Sequence, residues 1–229
     1  MTPRGGETAA VYEARWEAAP ALLIAPIVLV GLALVSYVEG WELHGLAWWI
    51  WILLALPALL VCADIGLGAR GVGLVRSRAA ALVLLGVVVA GNLVGLVLLV
   101  SALVSTSTQD LGGGQLLCTA VAIWATNVSV FGLWFWEMDD GGPYRRADTE
   151  RVTPDFQFPQ DENPGLKRPG WRPRVWDYLY TSLANASAFS ATDVMPLTLH
   201  AKLLMGIESV FSLALVVLVT ARAVNVLGA

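Results

Sequence analysis

Charged residues are scarce in this chain of 229 residues. They make up 14% of the sequence, whereas 57% of the residues are hydrophobic; soluble domains carry roughly 25% charged residues. Several apolar runs reach the roughly 18 residues that predict a transmembrane helix. The composition therefore excludes an ordinary soluble domain and predicts an all-α, polytopic integral membrane protein. Arginine is much commoner than lysine, as in GC-rich bacterial genomes, so we expect a bacterial plasma membrane.

Cysteine and histidine are equally rare, with two residues of each. Cys62 and Cys118 lie in apolar runs and form neither a disulfide framework nor a zinc-site spacing. His44 and His200 are far apart, and the sequence contains no Gly-rich phosphate loop, CxxC or HExxH motif. We therefore predict no enzymatic activity, no cofactor and no metal site. Since no basic patch with interleaved aromatic residues occurs, we do not expect nucleic acid as a partner. The expected partners are membrane lipids.

The chain divides into four parts by composition. A polar tail covers residues 1–17, a region of four apolar spans covers 18–136, a polar proline-rich loop covers 137–176, and residues 177–229 end in a fifth apolar span from about 199 to 227. The connector between the second and third spans contains Arg70, Arg76 and Arg78 without an acidic residue. Since positive connectors stay inside, this places the N-terminus in the cytoplasm.

The polar loop has two notable sets of side chains. Its acidic start either binds a divalent cation at a pore mouth or forms a solvated turn; no regular ligand spacing is present, which favours the turn. These acids are Glu137, Asp139 and Asp140. We expect the loop to be ordered but irregular, anchored on the membrane region by aromatic residues, namely Phe156, Phe158, Trp171 and Trp176.

The most informative stretch is residues 177–202, DYLYTSLANASAFSATDVMPLTLHAK. An amphiphilic segment over 177–189 is too short to span a bilayer comfortably as a helix. A polar turn over 190–193 follows, and then the last apolar span. A short helix, a polar turn and a full span are typical of a re-entrant pore loop, because non-helical backbone at membrane depth is tolerated only inside protein or beside water. We therefore predict about five transmembrane helices plus a re-entrant short helix.

This stretch resembles the pore region of two-transmembrane potassium channels without a gap. The matching residues are Tyr180, Ser182, Asp193, Pro196, Thr198 and Lys202. Where that family has its TVGYG filter, this chain has Ala-Phe-Ser-Ala-Thr over 188–192. Both glycines, which reach the backbone angles needed for successive inward carbonyls, are replaced. The resemblance implies a tetramer, and the altered filter predicts a selectivity other than the usual potassium selectivity.

The stretch is also similar to an uncharacterised bacterial membrane family with a DYLY…F…(S/T)D signature. The matching residues are Asp177, Tyr178, Leu179, Tyr180, Phe189, Thr192 and Asp193. Either resemblance covers only the last quarter of the chain, and this second one implies no particular activity.

Five polar residues are the candidate pore or filter residues: Asn185, Ser187, Ser190, Thr192 and Asp193. They line a hydrated path or satisfy one another in a dry core. In an oligomer, Asp193 would form an acidic ring that attracts cations. The alternative is that Thr192, Asp193 or Thr198 caps the last helix.

Glu208 is a carboxyl group inside the last span, which is costly unless it is paired, protonated or hydrated. It faces a water-filled vestibule or is buried and hydrogen-bonded to a neighbouring helix. Lys202, six residues earlier, does not share its helical face.

Two topologies remain open from the sequence. Either 177–193 enters and leaves from the cytoplasmic side, which we favour slightly, or residues 176–191 cross as a short additional span. The leading function is a channel-like protein that conducts small cations as a homo-oligomer. The alternative is a non-conducting membrane scaffold or partner-binding protein with a pore-loop-like fold.

Overall fold

The computed structural model describes residues 5–42, 47–68, 78–104, 113–148, 153–163, 165, 167–188 and 193–227, and it is predominantly helical over them. The all-α class is confirmed. In chain order, the elements are α1 Gly5–Glu39, α2 Trp49–Gly68, α3 Arg78–Val104, α4 Gly113–Met138, a 3-10 turn Asp139–Gly141, α5 Pro143–Asp148, β1 Phe156–Gln157, α6 Pro159–Glu162, α7 Val175–Ala188, β2 Met195–Pro196 and α8 Leu199–Leu227.

Four segments in the described part of the chain are helical, long and apolar enough to cross a membrane: Ala18–Glu39, Ala81–Ser101, Gly113–Gly141 and Leu199–Ala221. They belong to α1, α3, α4 and α8. The helix α2 is 20 residues long, and its segment Trp49–Leu60 is apolar as well. Helices of this length and composition support an integral membrane protein, because about 20 residues of helix match the thickness of the hydrocarbon core.

The helix α4 lies at the centre of the structure. Of its apolar segment 72% is buried, compared with 28% for α8, because α4 contacts α1, α3, α7 and α8. Its polar residues Thr126, Asn127 and Ser129 are buried along with its apolar ones. A helix that is buried on most of its circumference presents every side to a neighbour, so these polar groups face protein.

The chain leaves α4 through a turn in the left-handed region. Asp140 has φ 48°, and Gly141 and Gly142 have φ 83° and 101°. Aspartate and glycine tolerate these angles better than other residues. A Cβ atom at Gly141 would lie 2.7 Å from Cδ of Arg145, so the turn also needs glycine for space.

The polar loop is held against the membrane region by aromatic contacts. Phe156 and Phe158 are buried, and the ring of Phe156 lies 5.1 Å from that of Phe135 on α4. Phe158 and Trp171, whose rings are 6.0 Å apart, pack in the same hydrophobic core as Phe135. These contacts confirm three of the predicted anchors. The fourth prediction, Trp176, is wrong, because this residue lies in α7 and is 53% exposed.

A two-stranded antiparallel sheet joins the loop to the segment before α8. Phe156 pairs with Pro196, and Gln157 pairs with Met195. The amide of Leu197 also donates to the carbonyl of Asp155 at 2.8 Å. The sheet therefore fixes the start of α8 beside the polar loop.

Candidate functional site

The helix α7 begins where the sequence supplies a cap. The carboxylate of Asp177 accepts a hydrogen bond from the amide of Arg174 at 2.7 Å, and Pro173 precedes that residue. A side chain that reaches back from the third helical residue to the capping amide is one half of a capping box. The aspartate of the DYLY signature thus has a structural role at the start of α7.

One face of α7 is buried and packs closely on α4. The buried residues recur at helical spacing: Val175, Tyr178, Leu179, Thr181, Ser182, Asn185 and Ala186. At Gly132 of α4, an added Cβ would lie 2.8 Å from Cδ2 and 2.9 Å from Cα of Leu179. Only glycine permits this approach, which brings the polar residues of α7 against the backbone of α4.

Deep in the structure, four polar residues of α7 and α8 form what we call the Glu208 cluster: Ser182, Asn185, Glu208 and Ser209. The carboxyl group of Glu208 is fully buried. Ser182 Oγ contacts its Oε1 atom, and Asn185 Nδ2 donates to its Oε2 atom at 2.7 Å. Ser209 Oγ donates to Asn185 Oδ1 at 3.0 Å. Each oxygen of the carboxyl group therefore has a neutral side chain as its partner.

Asn185 and Ser182 also bond to main-chain carbonyls. Asn185 Nδ2 lies 2.9 Å from the carbonyl oxygen of Met205 on α8, and Ser182 Oγ lies 2.8 Å from that of Val128 on α4. The Glu208 cluster consequently joins α4, α7 and α8 through polar contacts in the interior.

Further polar groups lie on α4 and α8 next to this cluster. Asn127 Nδ2 donates to Ser212 Oγ at 3.3 Å, and Ser212 is one helical turn after Glu208 on α8. Asn127 Oδ1 and Thr126 Oγ1 are buried and have no hydrogen-bond partner among the described residues. Unpaired buried acceptors are costly in an apolar interior. These two oxygen atoms can each accept a further hydrogen bond.

A second polar cluster lies at the end of α4, where the polar loop meets α7. We call Asp139, Asp140 and Asp155 the aspartate cluster. The Asp139 carboxylate accepts bonds from Tyr178 Oη at 2.5 Å, from the Asp155 amide at 2.7 Å and from the Phe156 amide at 3.2 Å. A single buried side chain thereby joins the end of α4, the start of α7 and β1.

The other two aspartates extend this cluster to the loop and to α8. Asp140 Oδ1 accepts a bond from the Thr153 amide at 3.1 Å. Thr198 Oγ1 donates to Asp155 Oδ1 at 2.6 Å and accepts from the Ala201 amide at 3.3 Å. Thr198 is therefore the residue that caps α8, as one of the sequence alternatives proposed.

Arg146 supplies positive charge to the same region. Its guanidinium group donates to the carbonyl of Trp136 at 2.7 Å and to that of Asp139. It also lies 5.2 Å from the ring centre of Tyr178, a cation–π distance. Arg172 in turn donates to the carbonyl of Arg146. Arg146 thus acts as a donor to carbonyls at the end of α4, where a helix leaves acceptors free, and Arg172 acts as a donor to α5.

The structure separates the predicted pore residues into two groups. Asn185 is buried in the Glu208 cluster, whereas Ser187 is exposed and bonds to the carbonyl of Leu183 at 2.7 Å. Asp193 is exposed. Ser190 and Thr192 lie outside the described residues. Asn185 is therefore not on the same side of α7 as Ser187.

The predicted solvated turn of acids after α4 is wrong. Asp139 and Asp140 are at most 1% exposed and Glu137 is 6% exposed, because the polar loop covers the end of α4. Within the part of the chain that the structure describes, no group of His, Cys, Asp and Glu side chains could hold a metal ion. Asp139 and Asp140 instead accept hydrogen bonds from amides of the polar loop, and Asp139 also accepts one from Tyr178.

Sequence reasoning also missed Tyr178 and Asp155 as partners of Asp139. One signal was present, because the acidic run after α4 follows an aromatic, apolar helix directly and the DYLY signature puts a tyrosine on the buried face of α7.

Comparisons with protein-family models, with curated proteins and with solved structures find no match to this chain.

Proposed function

We propose that the chain is a channel-like integral membrane protein that passes small cations along a re-entrant hairpin. The hairpin, residues 175–202, comprises α7, the turn that contains Asp193, and the start of α8. In this proposal α1, α2, α3, α4 and α8 are the five membrane spans. The protein lies in the bacterial plasma membrane with its N-terminus in the cytoplasm, as the arginine-rich connector favours.

One observation carries the proposal: both ends of the hairpin contact the same aspartate cluster. Tyr178, in the first turn of α7, bonds to Asp139, and Thr198, just before α8, bonds to Asp155. Since the Asp155 amide donates to Asp139, the chain starts and finishes the hairpin at one end of α4. This supports entry and return on one side of the membrane, and it argues against the alternative in which residues 176–191 cross as a span.

The length of α7 agrees with this view. Its 14 residues extend about 21 Å at 1.5 Å per residue, which is less than the roughly 30 Å of a hydrocarbon core. From the aspartate cluster, α7 reaches the Glu208 cluster, and the chain is again at the aspartate cluster by Thr198. Backbone that turns within a membrane needs protein or water around it, and a cation pathway would supply the water.

The surface available for such a pathway is the exposed side of the hairpin. Asp193 and Ser187 are exposed there, while Asn185 faces the protein interior. A single chain does not enclose this surface, so conduction requires neighbouring copies. By the resemblance to potassium channels, these copies form a homo-tetramer in which Asp193 supplies an acidic ring at the mouth.

Cation flux into proteoliposomes tests the proposal. Wild-type protein is compared with Asp193→Ala and with Glu162→Ala, a matched control that removes an exposed acid from the polar loop. We expect wild-type flux above that of protein-free liposomes, a several-fold decrease in Asp193→Ala and no change in Glu162→Ala. Equal flux in all three proteins would show that Asp193 does not lie on the cation pathway.

The alternative function, a non-conducting scaffold or partner-binding protein, is favoured by a different observation. The exposed face of α7 presents Trp176, Tyr180 and Leu183, and aromatic residues are enriched where proteins bind partners. Folded wild-type protein that passes neither monovalent nor divalent cations would support this alternative and overturn the channel proposal.

A further inference from the structure

The Glu208 cluster carries an inference that goes beyond cation conduction and does not depend on it. Its carboxyl group is fully buried on the face of α8 that meets α7. The hydrogen bonds around this group indicate which atom carries a proton, because each partner has a fixed number of donors and acceptors.

Ser182 is the deciding residue. Its hydroxyl group carries one proton, yet it lies within hydrogen-bond distance of two acceptors, the carbonyl oxygen of Val128 at 2.8 Å and Oε1 of Glu208. With an ionised Glu208, the hydroxyl proton serves only one of these oxygens. The other contact then joins two oxygens without a proton between them.

A proton on Glu208 resolves this conflict. The acid donates from Oε1 to Ser182 Oγ, and Ser182 donates onward to the Val128 carbonyl. Oε2 continues to accept from Asn185 Nδ2, 2.7 Å away. Every contact then has one donor and one acceptor, and the chain of bonds runs from α8 through α7 to α4.

Among the residues that the structure describes, no charged side chain contacts Glu208 and takes the place of this proton. From α7 the facing groups are Ser182 and Asn185, and from α4 the contact comes through the Val128 carbonyl, which Ser182 shares. On α8 itself, Ser209 and Ser212 lie nearby, and α3 contributes Leu96 and Leu99 to the apolar cluster below. Among the described residues, all groups that face the carboxyl are neutral.

We propose that Glu208 is a proton-binding site inside the protomer, and that its proton links α8 to α4 through Ser182 of the short helix α7. Loss of the proton turns the Ser182 hydroxyl towards the carboxylate. The Val128 carbonyl then loses its side-chain donor, so the polar contact between α7 and α4 at this depth is broken. Proton occupancy thereby sets how firmly α7 is attached to the central helix.

Glutamine at position 208 mimics the protonated state. Its Nε2 group donates to Ser182, and its Oε1 atom accepts from Asn185, in the pattern of the acid. The variant Glu208→Gln therefore keeps every hydrogen bond of the protonated cluster while having no proton to release, which makes it the matched reference for the experiment.

The experiment is infrared difference spectroscopy of the reconstituted protein over a pH series, with wild type measured against Glu208→Gln. We expect a carboxylic acid C=O band in wild type that is absent from Glu208→Gln and that disappears as pH rises, because the acid form is lost. A wild-type spectrum with no such band at any pH would overturn the proposal. So would a band that persists in Glu208→Gln, since it would belong to another carboxyl group.

The role of Ser182 is tested separately with Ser182→Ala. We expect the C=O band to move to higher wavenumber, because the acid loses the hydroxyl group to which it donates. In Ser187→Ala, which removes an exposed hydroxyl group from the same helix, the band stays in place. An unchanged band in Ser182→Ala would contradict the proposed link from Glu208 to α4.

Discussion

The two polar clusters that α7 contacts differ in what satisfies their carboxyl groups. In the aspartate cluster, the carboxylate of Asp139 accepts hydrogen bonds from two main-chain amides and one tyrosine hydroxyl group. In the Glu208 cluster, the partners of the carboxyl group among the described residues are the side chains of Ser182 and Asn185. Amides of the main chain cannot turn away from a carboxylate, whereas a serine hydroxyl group can. The first cluster therefore fixes the hairpin in place, and the second has a bond that can be rearranged.

The two clusters also differ in how the sequence predicted them. A solvated turn was favoured for the acids after α4, but Asp139 and Asp140 are buried and accept hydrogen bonds from the polar loop. Glu208 matches the alternative of a buried acid that is hydrogen-bonded to a neighbouring helix, and its hydrogen bonds leave room for a proton. Function in this chain is thus expected from the deeper cluster and from the exposed turn at Asp193, and stability from the aspartate cluster.

The largest effect on stability should come from Asp139→Ala. This change removes the carboxylate that accepts hydrogen bonds from the Tyr178 hydroxyl group and from the amides of Asp155 and Phe156, and breaking such a buried charged network costs about 3–5 kcal/mol of unfolding free energy. Thermal unfolding in detergent measures the loss, and Asp193→Ala, at an exposed acid, should unfold like wild type. Equal unfolding of the two variants would show that Asp139 does not hold the hairpin.

Replacing Glu208 should have the next largest effect, and here the choice of residue matters. Glu208→Ala removes the partner of Ser182 and Asn185 and leaves a cavity, which should cost about 2–4 kcal/mol. Glu208→Gln keeps the hydrogen bonds of the acid form and should cost less than about 1 kcal/mol. Chemical unfolding of both variants near neutral pH makes the comparison. Similar losses in both would mean that the cluster needs an ionised carboxylate.

Close packing between α4 and α7 gives a smaller effect that is independent of either cluster. In Gly132→Ala, the new methyl group would meet Leu179 at 2.8 Å, and such overpacking typically costs about 1–3 kcal/mol. Gly206→Ala in α8 is the control, because nothing lies within 4 Å of its Cβ position. Thermal unfolding should separate the two variants, and a Gly132→Ala protein as stable as Gly206→Ala would rule out the close contact.

The helices were predictable from sequence because hydrophobic length determines them. The region of apolar spans predicted over 18–136 contains the long helix Gly113–Met138, and the short segment predicted at 177–189 corresponds to the helix Val175–Ala188. The aspartate cluster was not predictable, because Asp139 finds its partners 16 and 39 residues away. No local pattern encodes those separations; they arise from the turn at Asp140 and from the folding of α7 back onto α4.

Asn185 shows the same limit at the scale of one helix. Its polar character indicated a functional position, but its spacing from Tyr178 and Ser182 puts it on the buried face of α7. Ser187, two residues later, lies on the exposed face. Helical periodicity puts Asn185 and Ser187 on different faces of α7. Which of the two faces is buried became known only from the helices that pack against α7.

The smallest predicted effect separates the two serines of α7. Ser182→Ala removes one buried hydroxyl group and should lower the unfolding free energy by about 1–2 kcal/mol, because the Val128 carbonyl and Glu208 lose a shared partner. Ser187→Ala removes an exposed hydroxyl group that bonds to a carbonyl of its own helix, and surface changes of this kind stay within about 0.5 kcal/mol. Both variants are measured by chemical unfolding in the same detergent. Because the change in mass and polarity is the same, a larger loss in Ser182→Ala isolates the contribution of the deep cluster, whereas equal losses would reduce Ser182 to a packing residue.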